Sequence, residues 1–261
     1  MLTLYHNPQS RSTVVHYMLH ELGEPFEIVP IDLKAGEHKT PEFLKINPMG
    51  KIPVLRDGDT IVTENPAILT YLADKYPKAG LAPAIDAPER GAYLRWLFFY
   101  GSCFEPACAD MFMKRESPAS TVGWGRPADV LDTLSGGLKP GPWLLGERFS
   151  AADVMVGSGV AYMLGFKVLP ERPEYLDYVT RLEARPAHKA RHIDAPGGPS
   201  GAQGRRGGGC GATFWLILDG GSGPANPVRL TLAGRSWANV RRQGLCSGLC
   251  ALLFASWRSG C

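Results

Sequence analysis

With 261 residues, of which 44% are apolar and 20% charged, the chain has the composition of a globular protein of one or two domains, which argues against wholesale disorder. There is no run of roughly 18 apolar residues, so no spanning helix and no membrane partner are expected. The start MLTLYHNPQ lacks the basic and then apolar stretches of a secretory signal, and a cytoplasmic location is expected.

The net charge of +3 hides a division near His192. Residues 192–261 hold seven Arg, no Lys, two Asp and no Glu, giving +5, against 21 basic and 23 acidic residues, or −2, in 1–191. The same stretch carries about half of the 31 glycines and four of the six cysteines. Its apolar pieces, Phe214–Leu218 and Leu249–Phe254, are too isolated to build a core, so no packed domain is expected. The Arg-Arg-Gly-Gly-Gly run at 205–209 has the look of a nucleic-acid arm, but the arginines are scattered and the aromatic spacing is irregular, so no nucleic acid is expected as a partner. Such a composition is what a GC-rich gene gives when translated out of frame, and no function is placed on it.

Leu2–Tyr5 reads as a strand, followed by turn and cap residues Asn7, Pro8, Ser10 and Ser12. Val14, Val15, Met18, Leu19 and Leu22 share one helical face, which Gly23 closes. Phe26–Ile31 is a second strand and Pro41–Ile46 a short helix. Ile52–Leu55 and Thr60–Thr63 flank a hairpin turn at Asp57-Gly58. Asn65 as cap and Pro66 in the first turn precede a helix over Ala67–Tyr76, which Pro77 stops. After a Pro- and Ala-rich linker, strand signals disappear: Glu89–Met113 reads as one long helix, followed by helices at Arg126–Leu134, Ala151–Leu164 and Pro173–Glu183. The expected organisation is an α/β domain at 1–77, a linker at 78–88, an all-helical domain at 89–191 and the tail at 192–261.

Three segments, in order and spacing, resemble the cytosolic glutathione transferase family, close to its Theta-like and bacterial Ser-type members. They are HKTPEFLKINPMGKIPVLRDGDTIVTENPAILTYL at 38–72, RWLFFYGSCFEPA at 95–107 and FSAADVMVGSGV at 149–160. The resemblance covers about residues 2–191. It implies a thioredoxin-like N-terminal domain, a helical C-terminal domain, glutathione as co-substrate, a homodimer and no metal.

Pro53 stands where the family has a cis proline. The resemblance implies that Ile52 before it pairs its backbone with the cysteinyl unit of glutathione as an added strand would. A trans proline limiting an edge strand is the plainer reading. Glu64 and Asn65 precede a helix, whose N-terminus favours an anion. In the family the acid meets the γ-glutamyl ammonium and the next residue, usually Ser, holds its carboxylate. A simply capped helix would give the same pattern. His38 and Lys51 are implied contacts of the glycyl carboxylate, although a surface His and Lys are ordinarily just solvated.

For the thiol, the family uses Tyr, Ser or Cys near the start of the first helix. Here Ser10 matches best, with Ser12 second, and one of the two can cap the helix while the other donates to sulfur. Tyr5 lies in the strand and is turned away. His16 and His20 have the i,i+4 spacing of metal ligands, but no third ligand is evident. No cysteine precedes Cys103, which disfavours thiol-exchange chemistry. Cys103 and Cys108 are five apart on a helix and read as buried thiols. Ser150 and Asp153 form a capping box. Tyr100 and Cys103 are the candidates for the second-substrate pocket. The expected reaction is conjugation of the glutathione thiolate to a small hydrophobic electrophile. The alternatives are a glutathione-dependent dehalogenase or isomerase, or a non-catalytic transferase-like binding or scaffold protein.

Overall fold

A computed structural model describes residues 1–191, and the expectations for residues 192–261 lie outside the described residues. The α/β half runs β1 (Leu2–His6), α1 (Ser12–Leu22), β2 (Phe26–Pro30), α2 (Pro41–Ile46), β3 (Val54–Asp57), β4 (Thr60–Thr63) and α3 (Asn65–Lys75). Its sheet has the order β2-β1-β3-β4, with β1 parallel to β2 and antiparallel to β3, and β3 antiparallel to β4. This is the thioredoxin-like arrangement. Period-two alternation divides the sheet between two cores. Leu2, Leu4 and Leu55 join α1 and α3 in the main one, while Tyr5 and Val54 face Ile31 and Phe43 on the opposite side.

The helical half comprises α4 (Arg90–Phe99), α5 (Glu105–Met113), α6 (Pro127–Leu138), α7 (Ala151–Gly165), α8 (Pro173–Ala184) and α9 (Pro186–Ala190). α7 is apolar on all sides and is the axis of this half, packed by α1, α3, α4 and α8. Gly157 and Gly159 let neighbours approach it closely. At its start Asp153 accepts from the Ser150 backbone at 2.9 Å, the Ser150 hydroxyl at 3.1 Å, the Leu144 backbone at 2.9 Å and the Tyr178 hydroxyl at 2.9 Å. The segment between the halves is anchored: Leu81 is buried and its carbonyl accepts from the Ala151 N–H at 2.8 Å.

Four local expectations need correcting. β3 begins at Val54, not Ile52, because Pro53 has no N–H to give to a ladder. The hairpin turn is Gly58-Asp59, one residue later than the sequence signal. Asp57 stays paired with Thr60 and accepts the Tyr71 hydroxyl at 2.7 Å, and Gly58 takes the positive φ of 60°. Glu64, not Asn65, occupies the cap position of α3, with φ 66° and no side-chain cap bond. Asn65 is buried, and its Nδ2 donates instead to the Arg11 carbonyl at 3.3 Å, tying the starts of α3 and α1 together. The single helix over 89–113 is α4 and α5 joined by a π-helical turn at Tyr100–Phe104, across which the Glu105 N–H bonds to the Tyr100 carbonyl.

Candidate active site

The loop between α2 and β3 is shaped by Asn47, whose Nδ2 donates to the Lys51 carbonyl at 2.8 Å and whose Oδ1 accepts from Met49 N–H at 3.1 Å. Gly50 is required there. Its φ is 57°, and a Cβ would meet the His38 carbonyl at 2.8 Å. The loop is thereby seated on the tight turn Glu37–Lys39 that carries His38, and it leads into the cis Ile52–Pro53 peptide.

The loop before α1 is held by Asn7, whose Oδ1 accepts from Gln9 N–H and whose Nδ2 donates to the Ile31 carbonyl, both at 2.8 Å. Next come the two serines. Ser10 is half-buried; its hydroxyl donates to the Asn7 carbonyl at 2.9 Å and lies 2.8 Å from the Ser12 hydroxyl. Ser12 is fully buried and meets His6 Nδ1 at 2.7 Å. Burial lowers the pKa of His6 to about 4, so the ring is neutral near pH 7.

These elements enclose a cavity of about 830 Å³. Eight sequence-derived candidates line it together: Ser10, His38, Lys51, Ile52, Pro53, Glu64, Asn65 and, from the π turn, Tyr100. Two of its residues hold buried polar atoms without a partner, His38 Nδ1 and Asn65 Oδ1. A second cavity, of about 270 Å³, lies along α1 and α7; Ser10, Arg11 and Tyr100 line both. Arg11 is held at this junction by Glu105, 2.8 Å from its Nε, and by the Tyr162 ring, 5.0 Å below its guanidinium.

Two candidates are not in these walls. Ser12 lines neither cavity: as the first residue of α1 its side chain turns inward under Ser10. Cys103 also lines neither, because within the π turn its side chain packs against the main core. Tyr5 is buried on the far face of the sheet, edge-on to Phe43 with ring centroids 5.9 Å apart. His16 Nε2 and His20 Nε2 are 3.1 Å apart, and among the described residues no three His, Cys, Asp or Glu side chains gather as a metal site. The expectations missed Arg11, Asn47 and Glu105. Asn47 was legible as the opening residue of the N-P-x-G-K-I-P motif, and Arg11 adjoins Ser10. Glu105 lies within the 95–107 segment, but nothing in it marked Glu105 as a partner of Arg11.

Residues 1–74 match the family model of the glutathione S-transferase N-terminal domain. Glutathione S-transferase 3 of Zea mays is 36% identical over 58% of this chain and 73% of its own length. A glutathione transferase structure from Methylococcus capsulatus is 34% identical, covers 73% of this chain and 97% of its own, and superposes with a TM-score of 0.63. A Sulfitobacter homologue solved with bound glutathione is 29% identical over 73% of this chain and 96% of its own, with a TM-score of 0.60. No described helix is long and apolar enough to cross a membrane. On sequence, fold and coverage together, this chain is an enzyme of the glutathione S-transferase family.

Proposed function

We propose that the 830 Å³ cavity binds glutathione, that the 270 Å³ cavity takes the electrophile, and that Ser10 activates the thiol between them. The observation that carries this reading is the sharing of Ser10, Arg11 and Tyr100 by both cavities, since the glutathione sulfur lying against Ser10 then faces the cavity of the electrophile. The orphan atoms His38 Nδ1 and Asn65 Oδ1 fit a polar ligand, because a buried polar atom without a partner costs about 1–3 kcal/mol.

In this reading the γ-glutamyl carboxylate meets the N–H groups that open α3, where the helix dipole favours an anion. Because the Asn65 Nδ2 is committed to the Arg11 carbonyl, its Oδ1 is an acceptor, and it joins the Glu64 carboxylate around the ammonium. The cysteinyl backbone lies along Ile52, and the glycyl carboxylate lies toward His38 and Lys51. A free thiol with pKa near 8.5 is only about 3% thiolate at pH 7. A hydroxyl donor and a helix N-terminus that lower it by about two units, or about 2.7 kcal/mol, make most of it thiolate. The sulfur then attacks the electrophilic carbon, a C–S bond forms, and a leaving group such as halide departs with its electron pair. Val14, Ala161 and the rings of Tyr100 and Tyr162 give the electrophile apolar surface. A second copy of the chain is the partner that the family likeness brings, and sedimentation would test it.

The experiment is turnover of an aryl halide with glutathione as a function of pH. Ser10→Ala should move the ionisation of the bound thiol up by about one unit or more and slow turnover near neutral pH about tenfold, with glutathione affinity little changed. An unmoved profile would take the role from Ser10.

A further inference from the structure

Behind Ser10 stands a row of hydrogen-bonding groups that thiol activation by one hydroxyl does not require. The Ser10 and Ser12 hydroxyls are 2.8 Å apart, and Ser12 Oγ is 2.7 Å from His6 Nδ1. Around them the Ser12 N–H donates to Ser10 Oγ at 3.2 Å and the Asn7 N–H to Ser12 Oγ at 3.1 Å. His6 and Ser12 are both buried, at 2% and 0% exposure, so water does not complete this row.

Proton accounting settles its direction once Ser10 donates to sulfur. Each hydroxyl has one proton and two lone pairs. For its proton to reach the sulfur, the Ser10 hydroxyl must turn from the Asn7 carbonyl, 2.9 Å away, which keeps the Ser10 N–H at 3.1 Å; Ser10 can then meet Ser12 only as acceptor, so the Ser12 proton lies toward Ser10. The Ser12–His6 contact then needs a proton from His6, which must be the Nδ1–H tautomer. Every lone pair is used in this arrangement: Ser10 accepts from the Ser12 N–H and O–H, and Ser12 accepts from the Asn7 N–H and His6 Nδ1–H. With the Ser10 proton on sulfur, any other assignment, including the Ser12 proton on the Asn7 carbonyl 3.1 Å away, leaves two lone pairs facing each other across the contact of 2.8 Å or 2.7 Å.

We infer that His6 is a positioning residue: acting through Ser12, it aims the Ser10 proton out of the helix start and into the cavity. This inference rests on the assignment of thiol activation to Ser10. A neutral imidazole suits the task, since it has a single proton to commit, and burial keeps His6 neutral near pH 7. A row of donors each polarised by the next also strengthens the terminal bond to the thiolate. The titratable groups packed toward His6 are His16 on α1, with ring centroids 5.0 Å apart, and beyond it His20, 4.7 Å from His16.

The test is the pKa of glutathione bound to the full chain, read from the ultraviolet absorbance of the thiolate, alongside kcat and KM. His6→Phe and Ser12→Ala should each raise that pKa by about half to one unit and lower kcat near neutral pH about three- to tenfold, with kcat recovering at alkaline pH. The KM for glutathione should stay within about twofold, because neither side chain lines the cavity. His6→Asn, which places an N–H near the position of Nδ1, should restore most of the wild-type pKa, a rescue that a purely structural role does not predict. Should His6→Phe fail to fold, Ser12→Ala and His6→Asn carry the same contrast. A wild-type thiol pKa in Ser12→Ala, or equal shifts in His6→Asn and Ser12→Ala, overturns the inference. Ser10→Ala without a shift overturns instead the assignment to Ser10 on which it rests.

Discussion

The ring of Tyr100 occupies the space that a side chain at Gly159 would fill: a Cβ built there would lie 2.9 Å from Tyr100 Cζ and 3.0 Å from Cδ2. The bare stretch of α7 thus fixes where the π turn can place its aromatic ring, and that ring forms wall of both cavities. Gly159→Ala should overpack the contact at a cost of about 1–3 kcal/mol, measured by denaturant unfolding. The displaced ring should raise KM for the electrophile more than KM for glutathione, whose other proposed contacts lie on the α/β half. An unchanged electrophile KM in a destabilised variant would mean that Tyr100 does not shape that pocket.

Glu64 is exposed in the free protein, at the positive-φ corner that opens α3. Its attraction for an ammonium is therefore partly screened, and the loss in Glu64→Ala should be about 1–2 kcal/mol of glutathione binding, a five- to thirtyfold weaker Kd by calorimetry. The variant should keep its thermal stability, because the Glu64 side chain makes no cap bond. Normal glutathione affinity in Glu64→Ala would place the γ-glutamyl group elsewhere.

How far each feature was legible in the sequence depends on how local it is. The Asn47–Pro53 loop and the Glu64–Pro66 corner are set by neighbouring residues, through a side chain bonding its own loop, a glycine at positive φ and a proline without an N–H. Their motifs therefore carried their geometry. Ser10 and Ser12 are only two apart, and which one faces the cavity depends on where α1 begins. The helix starts at Ser12 and buries it, a matter of one residue that cap signals do not resolve. Cys103 was read within one unbroken helix over 89–113, with its regular period. The π turn at Tyr100–Phe104 inserts a residue into that period and rotates the helix beyond it, so a face drawn at 3.6 residues per turn fails there. The Arg11–Glu105 pair joins the two halves, and nothing local announces it.

Asp153 gathers the Ser150 N–H and hydroxyl, the Leu144 N–H and the Tyr178 hydroxyl in the interior. Asp153→Ala would leave these buried donors without an acceptor and should cost about 3 kcal/mol or more by denaturant titration. Since Asp153 lines neither cavity, the folded fraction should bind glutathione as the wild type does. Destabilisation below about 1 kcal/mol would show that water or a rearranged loop replaces the carboxylate.

His6 and Asp153 should make stability depend on pH in opposite senses. Burial lowers His6 from 6.5 to about 4, so between these values the unfolded chain binds the proton that the native ring refuses. The His6 contribution is complete above about pH 6.5 and is lost as pH falls toward 4, by up to about 3 kcal/mol at 1.36 kcal/mol per unit. Burial raises Asp153 from 3.8 to about 6 in spite of its four donors, so there the native state holds the proton more tightly, and stability falls as pH rises from about 4 to 6. The two slopes nearly cancel in the wild type. Removing either should expose the other. The stability difference between wild type and His6→Phe should shrink by up to about 3 kcal/mol on going from pH 6.5 to 4, while that between wild type and Asp153→Asn should move the opposite way. Urea unfolding of the three proteins at half-unit pH steps measures both differences, and the remaining carboxylates drop out of the subtraction. A His6→Phe difference that stays level with pH would mean that the imidazole titrates normally in the folded protein, and the neutral ring behind Ser12 would lose its support.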